Sequence, residues 1–175
     1  MTWARRKFKK KTLTPEQLAA KVRGIKAKAN GAKAEAIVMA SANYFYLQDK
    51  QIILHKRNES LQAKTGADFA CFTSTGKSGY IECKSRNAKS IPLDAVQPHQ
   101  IEQLQELEAM GFIGAVIVRL VVDEVANWFY VPAKNWSHPS KKSLSLVDLE
   151  KYRINIIETD GGDYLDLVTA INEAK

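Results

Sequence analysis

Asp68-Phe69-Ala70-Cys71-Phe72-Thr73, then Ser74-Thr75-Gly76-Lys77, then Ser78-Gly79-Tyr80-Ile81-Glu82-Cys83-Lys84-Ser85: two short apolar runs stand on either side of a Gly-containing turn. This pattern predicts strands over Asp68–Thr73 and Tyr80–Ser85 folded back as a hairpin. Side chains two apart on a strand share a face, so Asp68 goes with Ala70 and Phe72, and Glu82 and Lys84 go with Tyr80. The charges therefore stand among apolar neighbours, where a charge needs a partner or a metal. Hard oxygen ligands of this kind suit magnesium. Two carboxylates holding a cation, with an ammonium beside them, are equipped to attack a phosphodiester. The plain alternative is a surface strand carrying an i,i+2 charge pair. Thr75-Gly76-Lys77-Ser78 resembles the end of a phosphate-binding loop, but that loop needs Gly five positions before Gly76 and a helix after it. Cys71 stands there and a strand follows, so no nucleotide cofactor is expected.

Working outward, the net charge of +7 is unevenly spread. Through residue 33 the basic residues Arg5, Arg6, Lys7, Lys9, Lys10, Lys11, Lys21, Arg23, Lys26, Lys28 and Lys33 face the single acid Glu16, which gives +10. The remainder holds 15 basic and 18 acidic residues, or −3. Such a segment binds polyanions through counterion release, independently of sequence, and Lys77 in the turn is a further candidate for DNA-backbone contact. Residues 1–13 read as a flexible basic arm, and 14–175 as a single domain by length and by a hydrophobic content of 45%. The longest apolar run, Ile113–Val122, is interrupted by Arg119 and is far shorter than the roughly 20 residues of a bilayer span. With no apolar segment behind the N-terminal charges, a cytoplasmic protein is expected. Cys71 and Cys83 are expected as buried small hydrophobes on the face opposite Lys84.

Thr14-Pro15-Glu16 predicts a helix start, and a helix over 15–29 broken by Asn30-Gly31 before a second over 34–47. A strand at Ile52–His55, the polar connection 56–66 and the hairpin follow. Ile91–Val96 reads as a linker, and a helix runs from Pro98 to a Gly111 stop. Phe112–Val122 reads as a central strand and Asn127–Val131 as another. Helices are expected at Leu146–Tyr152 and Asp163–Glu173, the latter preceded by the turn Asp160-Gly161-Gly162.

Gly79-Tyr80-Ile81-Glu82-Cys83-Lys84-Ser85, Ile91-Pro92-Leu93, His99-Gln100-Ile101, Gly114-Ala115-Val116-Ile117-Val118-Arg119 and Tyr130-Val131-Pro132 together resemble the PD-(D/E)xK nucleases, and among them the RecU-type Holliday junction resolvases of bacteria and bacteriophages. The resemblance covers residues 30–135. It implies an α/β fold with a restriction-endonuclease-like αβββαβ core, a mixed central sheet flanked by helices, and a homodimer. It also implies a Mg2+-dependent endodeoxyribonuclease, with Mn2+ as substitute, that cuts four-way junction DNA symmetrically in recombination or phage DNA processing, in a bacterial cell or phage-infected host. By position it makes Asp68, Glu82 and the Cys83 backbone carbonyl the metal ligands. Lys84 would orient the attacking water, Glu35 would reach the metal or its waters, and Gln100 would lie near the water or phosphate; His99 is left without an assigned role. The connection 56–66 is shorter than the protrusion that enters the junction in that family, and Phe69-Ala70 replaces a polar residue and Gly, so the resemblance implies the cleavage chemistry more strongly than junction selectivity, and the basic arm with Lys56, Arg57 and Lys64 is expected to supply the DNA contacts instead. The rival readings are a duplex-cutting restriction-like or repair nuclease, and a non-catalytic DNA-binding recombination accessory.

Overall fold

A five-stranded sheet in the order β1-β2-β3-β5-β6 forms the centre of the computed structural model, which describes residues 14–57, 67–137 and 140–174. Helix α1 (Pro15–Asp49) precedes β1 (Ile52–Lys56), β2 (Phe69–Thr73) and β3 (Ser78–Arg86). After the short strand β4 (Ser90–Pro92) and a 3-10 turn come α2 (Pro98–Ala109), β5 (Ile113–Val122) and β6 (Val125–Pro132). The strand β7 (Ser143–Ser145), α3 (Leu146–Leu149), the hairpin β8 (Ile156–Thr159) and β9 (Gly162–Leu165), and α4 (Leu167–Glu173) complete the described elements. Helix, three strands, helix, strand is the αβββαβ order expected above, and the sheet is mixed: β3 and β5 run parallel while the other neighbours are antiparallel. The flexible arm expected at 1–13, and most of the connection 56–66, lie outside the described residues.

Strand β5 is buried along Ile113–Leu120, as an interior strand covered on both faces must be. On one face, Ala34, Val38 and Ala42 of α1 and Leu167 and Ile171 of α4 pack on Phe69, Cys71, Ile81, Cys83, Ile117 and Tyr130. On the other, Leu104 of α2 joins Val116, Val118, Phe129 and Val131, closed by Trp136 and Leu149. Cys71 and Cys83 are both buried on the α1 side, away from Glu82 and Lys84, as alternation requires. Ser41 ties the long helix to the C-terminal hairpin, its hydroxyl donating to the Ile37 carbonyl and accepting the Leu165 N–H at 2.9 Å.

Three expectations are corrected. Asn30-Gly31 does not break the first helix; α1 is continuous over 35 residues. One interior Gly costs about 1 kcal/mol against Ala, which the surrounding Ala, Lys and Glu residues offset, and the Asn30 side chain meets Asn87 at 3.4 Å. Ile91–Val96 is not merely a linker, since Ser90–Pro92 pairs antiparallel with Ser143–Ser145. Asp163–Glu173 is not one helix: Asp160-Gly161-Gly162 turns the β8–β9 hairpin instead, and α4 starts at Leu167 behind an Asp166 cap that accepts the Thr169 N–H at 3.0 Å. Among the described residues no helix is long and apolar enough to cross a membrane.

Helix α2 lies so close to β5 that a Cβ built on Gly114 would stand 1.9 Å from the Leu104 carbonyl oxygen. Backbone cannot swing aside as a flexible side chain can. Gly114→Ala is therefore expected to cost about 3 kcal/mol, at the upper end of overpacking penalties, read as a lowered urea midpoint with an unchanged slope.

Candidate active site

The hairpin pairs Phe69 with Ile81 as its last rung on this side. Asp68, one residue earlier, therefore faces Glu82 just beyond the end of β2. Its Oδ2 accepts the Cys83 backbone N–H at 2.8 Å, doing for β3 what the missing strand would have done. Extended backbone turns the N–H and C=O of a residue to the same side, so the Cys83 carbonyl faces the same gap. Glu82 is 2% exposed. Lys84 Nζ ion-pairs with Glu82 Oε1, whereas Glu82 Oε2 is buried without a hydrogen-bond partner.

Burial, and then the neighbouring Asp68 charge, push the Glu82 carboxyl up to about 7 despite the opposing Lys84 ammonium. The Asp68 carboxyl is raised as well, burial outweighing the Cys83 N–H. Two carboxylates packed together in low dielectric resist joint ionisation. A hard dication between them removes that cost, and the unpartnered Oε2 is an oxygen free to bind it. Two carboxylates and a backbone carbonyl thus fit the donor chemistry of magnesium or manganese. Among the described residues no three His, Cys, Asp or Glu side chains are grouped to hold a metal, so a cation here would rest on this mixed set.

Glu35, on α1, is engaged elsewhere: its Oε2 lies 2.6 Å from Lys56 Nζ on β1. That contact raises the Lys56 pKa. The Glu35 charge nevertheless contributes to the raised Asp68 pKa. Gln100 closes a capping box at the start of α2, its side-chain oxygen accepting the Gln97 N–H at 3.1 Å. His99 is exposed beside it. Lys77 lies exposed in the hairpin turn, where its N–H donates to Thr73 Oγ1 at 3.1 Å.

Of the basic segment, Lys21, Lys26, Lys28 and Lys33 are exposed along α1. Arg23 belongs to the same helix, and its side chain lies outside the described residues. Arg5, Arg6, Lys7, Lys9, Lys10, Lys11 and Lys64 also lie outside them. Tyr80 and Phe72 stand on the carboxylate face as alternation predicts, Tyr80 under the Arg57 guanidinium at 4.7 Å and Phe72 half exposed. Phe112, half exposed beside them, was not foreseen there, because it precedes β5 and only the packing of α2 brings it to the hairpin.

No family model matches the chain, and no curated protein does. Among solved structures it is similar to Hjc, a Holliday junction resolvase from the archaeal hyperthermophile Archaeoglobus fulgidus, at 14% identity and a TM-score of 0.46, over 69% of this chain and 88% of that one.

Proposed function

We propose that the chain is a metal-dependent, structure-selective DNA endonuclease that resolves four-way junctions. The observation that carries the reading is the pair Asp68 and Glu82 beyond the end of β2, with Lys84 on one oxygen of Glu82 and the other unpartnered. A divalent cation held by Asp68, Glu82 and the Cys83 carbonyl would supply Lewis-acid polarisation of a phosphoryl oxygen and a water of lowered pKa. Lys84 is an ammonium at the mouth of the site, its side chain 27% exposed. It orients the attacking water and offsets charge developing on the phosphoryl oxygens. Glu35, released from Lys56 when a phosphate backbone competes for that ammonium, accepts a hydrogen bond from the same water. Gln100 orders the α2 end near the phosphate. Attack of water on phosphorus in line with the P–O3′ bond forms the new P–O bond as that bond breaks; the water's proton is lost, the departing 3′-oxygen gains one, and the products are a 5′-phosphate and a 3′-hydroxyl.

Junction specificity rests on the sequence resemblance. A two-fold homodimer carries two such sites related by symmetry, which suits nicking of two strands of like polarity. The test is competition between a labelled four-way junction and a linear duplex of the same sequence, with magnesium. Paired symmetric nicks in the junction support resolution; equal cutting of both substrates leaves a duplex nuclease.

The exposed lysines of α1 give a separate expectation. Replacing Lys21, Lys26, Lys28 and Lys33 together by Ala should weaken binding to all DNA sequences and reduce the slope of log affinity against log salt by up to about 3.6, at roughly 0.9 per phosphate contact. Binding titrations across a salt series read this. An unchanged slope removes α1 from the DNA interface.

A further inference from the structure

On the face that carries Asp68 and Glu82, the hairpin continues toward its turn with Ala70 opposite Tyr80 and Phe72 opposite Ser78. Strand β1 adds His55 opposite Ala70 and Ile53 opposite Phe72. Helix α2 packs on β5 and β3, which leaves apolar surface on β1 and β2, where Ile53 is 37% and Phe72 47% exposed, and beside it Phe112, just before β5, is 46% exposed. Between Phe72 and the C-terminal end of α2 lies a cavity of about 210 Å³ walled by Phe72, Tyr80 and Phe112 with Ala70, Gly79 and Leu107.

We propose that this cavity receives one unstacked nucleobase of the strand being cut. The inference rests on the nuclease reading above and specifies its substrate. Three properties select a base. The volume is below the roughly 300–1,000 Å³ of pockets that enclose a drug-sized ligand, so it suits a single planar ring system. The walls are mainly aromatic and apolar, with Ser78 the one polar side chain apart from the Tyr80 hydroxyl, and every base has a π-face to set against them. The cavity lies on the same face of the hairpin as the carboxylates: Tyr80 is two strand residues from Glu82 and Phe72 four from Asp68, roughly 7 and 13 Å at about 3.3 Å per residue. A backbone whose phosphate meets Asp68 and Glu82 thus brings a base from a nearby nucleotide over the cavity, while Arg57 above Tyr80 supplies positive charge beside the connecting phosphates.

The consequence is a preference among DNA structures. A continuous duplex must unpair and unstack a base to fill the cavity, at a free-energy cost. At a branch point, where strands exchange, continuous stacking is interrupted more readily, so that cost is lower. Selectivity for branched DNA then arises on the catalytic face itself, with no protrusion needed between β1 and β2.

The test is an abasic scan. Four-way junctions carrying a single abasic site, moved through the nucleotides flanking the cut, are bound to the Asp68→Asn variant in magnesium, with and without Phe72→Ala plus Phe112→Ala. One position should lose about tenfold in affinity when its base is removed, and that loss should vanish when both Phe side chains are gone. Phe72→Trp, which keeps a stacking surface, should restore it, and thermal melting of each variant separates lost stacking from lost fold. A flat scan overturns the inference. So does a flat scan in which the double variant also changes oligomeric state by sedimentation, which would assign the patch to a second copy of the chain. Cleavage of the unmodified junction by the unsubstituted protein is scored in parallel: cutting with a flat scan removes the base pocket alone, and absence of cutting removes the nuclease reading whatever the scan shows.

Discussion

Asp68→Asn should slow DNA cleavage by about 10³-fold while leaving DNA binding and the fold intact. One oxygen of Asp68 accepts the Cys83 N–H at 2.8 Å, and an Asn side chain keeps an oxygen in that position. Burial already raises the Asp68 pKa, so a neutral replacement does not strain the folded protein. What disappears is a negative charge directed at the gap beside Glu82. Lewis-acid stabilisation of a phosphoryl transition state is worth several kcal/mol, and about 4 kcal/mol corresponds to the stated loss. Single-turnover cleavage at saturating protein measures it without interference from affinity. A variant that binds and cuts like the unsubstituted protein would remove Asp68 from the chemistry.

Glu82→Gln should change how stability depends on pH. Glu82 titrates near its ordinary 4.5 when unfolded and near 7 when folded, because burial and the Asp68 charge disfavour its ionised form. The folded state therefore holds the proton more tightly. Its contribution to stability is complete below about pH 4.5 and is lost as the pH rises through about 7. The displacement from 4.5 to about 7 is on the order of 3 kcal/mol, or roughly 6–12 °C in melting temperature for a chain of this size. In chelator, the unsubstituted protein should thus melt lower at pH 8 than at pH 5, and the Glu82→Gln variant should show a largely flattened decline. Magnesium at pH 8 should raise the melting temperature of the unsubstituted protein and leave the variant nearly unmoved, since a ligand stabilises only a state that binds it. Parallel pH profiles for the two proteins, unaffected by magnesium, would contradict the carboxylate coupling.

The hairpin and its charges were legible because the signals are local. Alternation sets which side chains share a face, and the Gly-containing turn sets which strands meet, so Asp68 opposite Glu82 follows from spacing. The pairing of Ser90–Pro92 with Ser143–Ser145 was not legible, because nothing in either tripeptide names a partner some fifty residues away. Asn30-Gly31 was misread for a different reason: local turn chemistry of modest cost lost to the helical preference of the residues around it and to the burial of Ala34, Val38 and Ala42. Asp160-Gly161-Gly162 was recognised as a turn but given the wrong neighbour, since the same signal serves a helix entry or a hairpin. The ion pair between Glu35 and Lys56 joins two elements whose relative placement only packing decides. The uncovered aromatic group at Phe72, Tyr80 and Phe112 depends in turn on where α2 stops crossing the sheet.

The most direct measurement is metal-dependent cleavage of a labelled four-way junction under single-turnover conditions, first in chelator and then with magnesium restored, by the unsubstituted protein, Asp68→Asn and Lys84→Met. Cutting that requires magnesium in the unsubstituted protein and is lost in both variants, with junction affinity retained, is the expected result. Magnesium-independent cutting, or cutting that survives both substitutions, would contradict a catalytic centre built on Asp68, Glu82 and Lys84.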